Sequence, residues 1–460
     1  MAHETATLAG YVAGLKFEDI PPEVRDRVKV LTLDFLGSAI RARSEAESTP
    51  SMLKMLHALK LDASGEATVF GDAKTWTPAI AALLNGALGH SLDFDDTHAD
   101  SSLHASAPVV PAAFAVGEMV GASGREVLTA IVAGYEVCCR LGNALDPTSH
   151  YARGFHPTAT AGTYGAAAAA AKLFGLSEQQ IIYAFGVSGS QAAGSLQFLV
   201  NGAWNKRYQV GAAAMNGVIA ATLAKNDFVG AIESVEGKHG LLVGYTDTPH
   251  HEKAVAGLGT TYETMKIGIK PYPSCRYTHA ALDALIALRR EHNLTPDQIK
   301  RVEIGLHRNG ITLTGDAATK RHPTSIVGGQ FSMFFTGALA LDQGSFGWDD
   351  YSRLGDAAIN ALADKFDVVQ DDRLEIGRTH PFGARVAITT EHGVHERLHD
   401  DPSGEPTSFP TTQAMSEKFL TLARPVLKAR AQNFAEAILS LERFDHITKA
   451  TELGKTVGPA

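Results

Sequence analysis

Acidic and histidine residues are concentrated in one stretch of the chain, residues 85–108, where most neighbours are small and apolar. An imidazole exchanges protons near neutral pH, and a carboxylate can orient it or stabilise the charge it gains. Groups of this kind are ordinarily solvated when they have no function. Their concentration in an apolar context therefore predicts a site for chemistry in this stretch, whose acids, imidazoles and hydroxyl are Asp93, Asp95, Asp96, Thr97, His90, His98 and His104.

The elements that position these residues are predicted to be a helix followed by a loop. On a helix over 79–96, His90, Asp93 and Thr97 share one face, because they lie at positions i, i+3 and i+7. Asp95 points away from that face and is expected only to cap the helix or pair with a surface group. His104 follows in a loop before Pro108, where a rigid turn can direct it back to the same face.

Three other interpretations of the acidic stretch stay open. The acids could be solvated surface groups without a role. The segment 95–100 could bind magnesium and a diphosphate, although this case is weak because such pockets need aromatic walls and only 7% of the residues are aromatic. Asp93, His98 and His104 could also hold a single metal ion.

Basic groups that could bind an anion lie further along the chain. Lys206 and Arg207 directly precede an apolar helix, and His156 directly precedes a helix that begins with a proline. A solvated helix start and a structural histidine are the alternatives for these positions. The segment 269–279 is a proline-rich hinge that carries Lys270, Ser274, Arg276 and His279.

Composition limits the class of protein. The 460 residues, of which 45% are hydrophobic, can bury a large core and predict two domains. A net charge of -9 argues against nucleic acid and anionic membranes as partners. Three cysteines without metal or disulfide spacing are typical of a reducing cytoplasm. We expect neither a signal peptide nor a membrane span.

The hydrophobic pattern predicts helices first and strands later. Helical spacing occurs over 22–40, 79–96, 108–120, 125–141, 158–174, 177–194 and 208–226. Apolar and polar residues alternate over 299–306 and 384–390, which predicts strands, with helices between them at 279–290 and 330–341. Helical spacing returns at 413–422 and 425–441. We therefore expect a mostly α fold: a large all-α helical domain, 1–265 and 405–460, with an inserted smaller α+β lid domain, 266–404.

Taken in order, these motifs resemble the MmgE/PrpD family. The matching segments are 93–98 with His104, 154–158, Lys206 with Arg207, 270–275 with His279, and 330–333. The resemblance implies a helical domain with a smaller α+β lid, a homodimer, and chemistry on small di- or tricarboxylates without a cofactor or metal. Activities in the family are 2-methylcitrate dehydration, cis-aconitate decarboxylation and iminodisuccinate epimerisation.

The resemblance also implies a set of site residues. The active-site positions of cis-aconitate decarboxylases fall on Asp93, Thr97, His104, His156 and Lys206. The resemblance adds Lys270 and His279 from the hinge, and Gln209 is similar to the fungal decarboxylases at this position. A polycarboxylate in a net acidic protein also needs local cations, which Lys206, Arg207, Lys270 and Arg276 can supply. The expected substrate-binding residues are therefore Arg207, Gln209, Lys270, Ser274, Arg276 and His279. The chain lacks a tyrosine at 306–309, where the resemblance would place one in the lid.

We therefore predict a cytoplasmic, cofactor-independent lyase that transfers a proton at a carbon beside a carboxylate. It would resemble a cis-aconitate decarboxylase or a 2-methylcitrate dehydratase. His104 or His156 would carry the proton, Lys206 would bind a carboxylate, and Asp93 with Thr97 would orient an imidazole or the substrate. An epimerase of an iminodisuccinate-like dicarboxylate and a helical scaffold without turnover are the alternatives.

Overall fold

The computed structural model describes residues 3–375 and 382–457. Contacts within the chain define two compact units. The first unit comprises the residues up to Ser91, Asp95–Ile269 and the residues from Pro410 onward, and the second comprises Leu92–Phe94 and Lys270–Phe409. Helices predominate and the sheets are small, which confirms the predicted mostly α fold.

The first unit is built from helices and two pairs of short antiparallel strands. Its helices before the second unit are α1 Glu4–Gly14, α2 Pro22–Glu45, α3 Thr49–Ala58, α4 Pro78–Gly89, α5 Ser106–Val120, α6 Gly124–Ala144, α7 Pro147–Ala152, α8 Pro157–Leu173, α9 Glu178–Gln191, α10 Asn205–Lys225 and α11 Leu241–Gly244. The strand pairs are β1 Ala67–Thr68 with β2 Thr75–Trp76, and β3 Thr97–His98 with β4 Ile267–Gly268. Among the described residues we find no helix both long enough and apolar enough to cross a bilayer.

Small residues allow the helices of this unit to approach closely. A Cβ atom built on Gly86 of α4 would lie 2.9 Å from the Cα atom of Gly211 on α10. Such a separation tolerates no side chain, so the two glycines let the backbones touch. The last turns of α4 therefore pack beside the first turns of α10, which carry Lys206 and Gln209.

The helix predicted over 79–96 is wrong beyond Gly89, where α4 ends. Asp93 adopts a left-handed conformation with φ of 52°, which no helix interior contains. Thr97 and His98 then form strand β3. His90, Asp93 and Thr97 therefore share no helical face.

The second unit contains a four-stranded sheet in the order β6-β5-β7-β8. Its strands are β5 Arg301–Leu306, β6 Phe366–Gln370, β7 Ala384–Thr390 and β8 Gly393–His399, and its helices are α12 His279–His292, α13 Arg308–Gly310, α14 Ala317–Lys320, α15 Ile326–Gln330, α16 Met333–Gln343 and α17 Ala357–Ala363. β5 pairs in parallel with β6 and antiparallel with β7. Helix α12 packs on β7 and β8. The two predicted strands are confirmed, whereas β6 and β8 were not predicted.

Three C-terminal helices complete the first unit: α18 Thr412–Leu427, α19 Arg430–Leu439 and α20 Thr448–Thr451. Helix α18 packs on α2, where a Cβ atom on Gly37 would lie 3.2 Å from the Phe419 ring. The helix break predicted before Pro425 is wrong, because this proline lies inside α18. In a last turn the missing N–H of proline costs one hydrogen bond, and the helix ends only at Lys428, whose φ is 55°.

Candidate active site

Three histidines and one aspartate form a buried group in the first unit, which we call the imidazole cluster: His90, Asp95, His104 and His156. His90 Nδ1 donates a hydrogen bond of 2.7 Å to Asp95 Oδ2, and both side chains are 0% exposed. The His90 ring centroid lies 4.8 Å from that of His104 and 6.0 Å from that of His156. The cluster therefore brings together residues from the end of α4, the following turn, the loop before α5 and the start of α8.

Local backbone geometry explains how His90 and Asp95 meet. A Cβ atom on Gly89 would lie 1.9 Å from the Phe35 ring, so only glycine lets α4 end this close to α2. The chain then turns through the left-handed residue Asp93, a conformation that aspartate adopts more readily than most residues. Asp95 consequently faces back toward the end of α4. The expectation that it points away and only caps a helix is wrong.

His104 is the member of the cluster whose side chain reaches solvent. It is 13% exposed, whereas His90 and Asp95 are 0% exposed. Its Nδ1 donates to the backbone oxygen of Asp96 at 2.6 Å, and its backbone N–H donates to Thr158 Oγ1 at 3.2 Å. Because Nδ1 carries the proton of the neutral ring, Nε2 is the nitrogen that can gain or lose one.

His156 is held differently, at the N-terminal end of α8. Its backbone N–H donates to the oxygen of Gly194 at 3.0 Å, and the Gln209 Nε2 amide donates to its Nδ1 at 2.9 Å. Burial lowers the pKa of His156 well below its usual value, and electrostatic interactions with His90 and Lys206 lower it further. His156 is therefore neutral near pH 7, and its Nε2–H is a hydrogen-bond donor.

The start of α10 supplies three of the predicted residues, in different environments. Lys206 is half-buried, and its charge acts on His156. Gln209 bonds His156 directly. Arg207 is buried, and its Nη1 lies 3.5 Å from Ser48 Oγ at the start of α3. The structure thus brings Lys206 and Gln209 to His156 and places Arg207 against α3.

Asp96 and Thr97 continue the chain from the cluster. Asp96 Oδ2 accepts a hydrogen bond of 2.5 Å from Ser106 Oγ, which also contacts Tyr135 Oη at 2.5 Å. Burial raises the pKa of Asp96 to about 8; the Ser106 hydrogen bonds oppose this shift and the charge of Asp95 adds to it. Thr97 Oγ1 is buried and has no hydrogen-bond partner among the described residues.

The raised pKa of Asp96 predicts that stability falls as the pH rises. The folded chain holds this proton up to about pH 8, whereas an unfolded aspartate releases it near about pH 4. Between those values the folded state binds more protons, so a rising pH favours unfolding. We expect the Tm of Asp96→Asn, which cannot titrate, to fall less than that of the wild type between about pH 5 and about pH 8. Thermal melts measure this, with the exposed Asp100→Asn as the control, and parallel curves for all three proteins would contradict it.

A second group of charged residues lies in the second unit, which we call the hinge group: Asp93, Lys270, Ser274, Arg276 and His279. Lys270 Nζ lies 3.1 Å from Asp93 Oδ1 and donates to the Asp93 backbone oxygen at 3.1 Å. The two side chains are only 3% and 6% exposed. A buried pair of this kind neutralises each charge at short range, which holds residue 93 in its left-handed conformation.

The other members of the hinge group are bonded to one another. His279 Nε2 donates to the Ser274 backbone oxygen at 3.1 Å, and Arg276 Nη1 donates to His279 Nδ1 at 3.1 Å. Burial lowers the pKa of His279 well below its usual value, and Arg276 and Lys270 lower it further. Arg276 also pairs with Glu405, and Ser274 Oγ contacts Thr278 Oγ1 at 2.8 Å. These contacts fix the imidazole in its neutral form.

Sequence reasoning named His90 and Asp95 but did not predict that they pair, and it missed Tyr351. His90 and Asp95 lie five positions apart, a spacing that places no side chains together on a helix. The available signal was an aspartate among small apolar residues, where solvation is an unlikely explanation for its charge. Tyr351 of the second unit is buried; its Oη donates to the Pro273 oxygen at 2.6 Å, and burial, with the Asp93 charge, raises its pKa well above the usual value. It carries no pattern that separates it from a core tyrosine.

Among the described residues, two sets of side chains could hold a metal ion by donor proximity: His90 with Asp95 and His104, and His98 with Asp100 and Glu263, each with donor atoms within 4.8 Å of one another. In the first set the Nδ1 atoms already donate to Asp95 and to the Asp96 backbone. In the second set Glu263 already accepts from Lys266 at 3.0 Å. Hydrogen bonds within the protein are therefore enough to explain why the donor atoms of each set lie close together.

Comparisons with known proteins cover nearly the whole chain. The model of the MmgE/PrpD N-terminal domain matches residues 6–253, and that of the MmgE/PrpD C-terminal domain matches residues 272–443. A cis-aconitate decarboxylase-like protein oryM of Aspergillus oryzae is 29% identical, covering 95% of this chain and 94% of that protein. A cis-aconitate decarboxylase of Aspergillus terreus is 28% identical, covering 98% and 95%. The human cis-aconitate decarboxylase is 29% identical, covering 65% and 63%.

Proposed function

The chain belongs to the MmgE/PrpD family, and on that premise we propose that it is a lyase that decarboxylates cis-aconitate or a closely related tricarboxylate without a bound cofactor. Its similarity over nearly its full length to cis-aconitate decarboxylases supports the substrate class. The observation that carries the proposal is His104, a solvent-reaching imidazole whose Nδ1–H is fixed by the Asp96 backbone oxygen, so that its proton exchange takes place at Nε2.

The reaction needs one proton and no oxidant. When a carboxylate leaves as carbon dioxide, the carbon–carbon bond breaks and its electron pair stays with the substrate. In cis-aconitate that pair can form a new double bond while the old one shifts its electrons to a carbon beside a carboxylate. A proton delivered to that carbon completes the product, so a general acid at this position speeds the reaction.

We assign proton delivery to His104 rather than to His156. His104 reaches solvent, from which an imidazole regains its proton after each turnover. The lowered pKa of His156 makes it a poor proton donor near pH 7. As a neutral ring with a fixed Nε2–H, it is suited to hydrogen-bond a substrate carboxylate or the negative charge that develops there. Lys206, whose charge acts on the same ring, would bind a carboxylate of the substrate.

The remaining predicted residues keep narrower roles in the proposal. Thr97 would donate its unmatched hydroxyl to a substrate oxygen. Arg207 and Arg276, which contact Ser48 and Glu405, would support α3 and the 403–405 segment in addition to any ligand. That Asp93, Lys270, Ser274 and His279 act on the same substrate stays a prediction, as do the homodimer and the cytoplasmic location.

Proton NMR in deuterated water tests the proposed reaction. We expect cis-aconitate to lose one carboxylate as carbon dioxide and to gain one deuteron at a carbon beside a carboxylate, because the general acid exchanges with solvent before it delivers its proton. Loss of water from 2-methylcitrate, or deuterium exchange with inversion in iminodisuccinate, without turnover of cis-aconitate would replace the proposal with a dehydratase or an epimerase. No turnover of any of these acids would favour a scaffold.

Chelation provides the control for the cofactor-free part of the proposal. We expect the activity to survive dialysis against EDTA. We also expect elemental analysis to find far less than one metal ion per chain. Loss of activity on chelation and its return with one divalent ion per chain would contradict it, and the set of His90, Asp95 and His104 would then be the first place to look for the ion.

A further inference from the structure

We propose that Asp95 is a positioning residue for proton transfer: its carboxylate stabilises the imidazolium form of His104, and His90 holds that carboxylate in place. The inference rests on the proposed function, in which His104 delivers the proton. It gives a role to two residues that the family resemblance did not assign, both of them completely buried.

The geometry places two imidazole N–H groups around a single carboxylate oxygen. Asp95 Oδ2 accepts from His90 Nδ1 at 2.7 Å and lies 3.6 Å from His104 Nδ1. His104 Nδ1 also donates to the Asp96 backbone oxygen at 2.6 Å, so its proton faces two oxygen acceptors, one of which is the Asp95 carboxylate. Protonation at Nε2 spreads positive charge over the ring, and a carboxylate at this distance stabilises it strongly where water is excluded.

The neighbouring charges single out Asp95 for this role. Asp34 of α2 is ion-paired with Lys418 of α18, whose Nζ lies 2.6 Å from Asp34 Oδ1. The raised pKa of Asp96, about 8, keeps its carboxyl group largely protonated near pH 7. The positive charge of Lys206 acts on His156, whose ring centroid lies 6.0 Å from that of His90. Asp95 is therefore the acid of this region whose charge faces the imidazoles.

A structural explanation of the His90–Asp95 pair accounts for the observations less well. A buried carboxylate loses its solvation, and a purely structural one is normally satisfied at both oxygens. Asp95 Oδ1 has no hydrogen-bond partner among the described residues. The arrangement leaves the charge of Asp95 incompletely neutralised, which is what a histidine that must gain a proton requires of its partner.

Asp95→Asn tests the inference because it removes the charge while an amide oxygen can still accept from His90. The histidine resonances of the substrate-free protein would be titrated by NMR, with His104→Asn identifying the His104 signal. We expect the His104 midpoint to fall by about one pH unit or more in Asp95→Asn. The alkaline side of the kcat profile should move to lower pH by the same amount, because the proton donor is lost earlier.

The matched control is Asp100→Asn, an exposed acid in the same segment, which should leave the midpoint unchanged. Should Asp95→Asn fold poorly, His90→Asn, whose amide nitrogen can replace Nδ1 as donor, should keep the wild-type midpoint, and His90→Leu should lower it. A lower Tm with an unchanged midpoint in Asp95→Asn would overturn the inference and leave the pair structural. A wild-type His104 that titrates only after EDTA is added would overturn it in favour of a metal ion.

The titration uses no substrate, so the two proposals fail separately. A shifted midpoint in a protein that turns over none of the three acids would contradict the proposed function alone. An unchanged midpoint in a protein that decarboxylates cis-aconitate would contradict the role of Asp95 alone.

Discussion

Replacement of His104 by asparagine is expected to lower kcat by about 10²- to 10⁴-fold, the usual contribution of a placed general acid. Asparagine keeps an amide N–H near the position of Nδ1, so the hydrogen bond to the Asp96 backbone oxygen can persist. Asparagine also fills part of the space of this largely buried ring, so the cost in stability should be smaller than that of His104→Ala. Steady-state kinetics with cis-aconitate, together with a Tm within a few degrees of the wild type, would establish the effect as chemical.

His98 provides the matched control for this experiment, since it lies in the same segment but is fully buried. Its Nδ1 contacts Ser101 Oγ at 2.7 Å and its Nε2 contacts Glu263 Oε2 at 3.0 Å, so both nitrogens support the fold. His98→Asn should therefore lower the Tm and leave the kcat of the folded protein nearly unchanged. Equal kcat values for wild type and His104→Asn would remove His104 from the mechanism. Recovery of activity in His104→Ala on addition of free imidazole would independently support it.

The sequence located the reactive segment but not its shape. Residues 85–98 contain enough apolar residues at helical spacing to predict one helix, and neither glycine nor proline marks a turn after Gly89. The turn depends on a left-handed Asp93, which Lys270 fixes from a position 177 residues later in the chain. Local propensity contains no information on such a distant ion pair. Asp95 was therefore predicted to point away from His90, whereas in the structure the two side chains are hydrogen-bonded.

The fold was predicted best where burial imposes a clear period. Helix α2 and strand β7 are confirmed because one face of each is apolar over its whole length. Strand β8 was not predicted because its apolar residues Val394 and Leu398 are separated by three polar ones and both are exposed on an edge strand that buries little. Strand β6 was missed for a related reason, since its C-terminal half, which includes Val369, is exposed.

The two predicted histidines show why a resemblance could not divide the chemical roles. Sequence patterns place His104 and His156 on equal terms, each in a loop before a helix. What distinguishes them is a pair of contacts that only the folded chain provides: the Asp96 backbone oxygen for the His104 ring and the Gln209 amide for the His156 ring. The first contact favours a ring that gains a proton, and the second favours a neutral ring, which is why their replacement should affect different kinetic constants.

Replacement of Lys270 by methionine is expected to destabilise the second unit by about 3–5 kcal/mol, the usual cost of leaving one charge of a buried ion pair without its partner. The Asp93 carboxylate, 6% exposed, would lose the ammonium group that lies 3.1 Å from Oδ1. Lys300→Met is the matched control in the same unit, because Lys300 and Glu391 are 55% and 74% exposed, and a surface pair contributes only about 0–1 kcal/mol. Denaturant unfolding measures both effects.

The double variant Asp93→Asn with Lys270→Met separates stability from function. Asparagine tolerates the left-handed conformation of residue 93 as aspartate does, and with both charges gone no unpaired ion stays buried. We expect the double variant to recover most of the stability lost in Lys270→Met, since the two sites are in direct contact and their effects are not additive. If the resemblance assigns these residues correctly, kcat/KM for cis-aconitate should stay low despite the restored fold. Additive losses of stability would contradict the coupling, and wild-type kcat/KM in the double variant would limit the pair to a structural role.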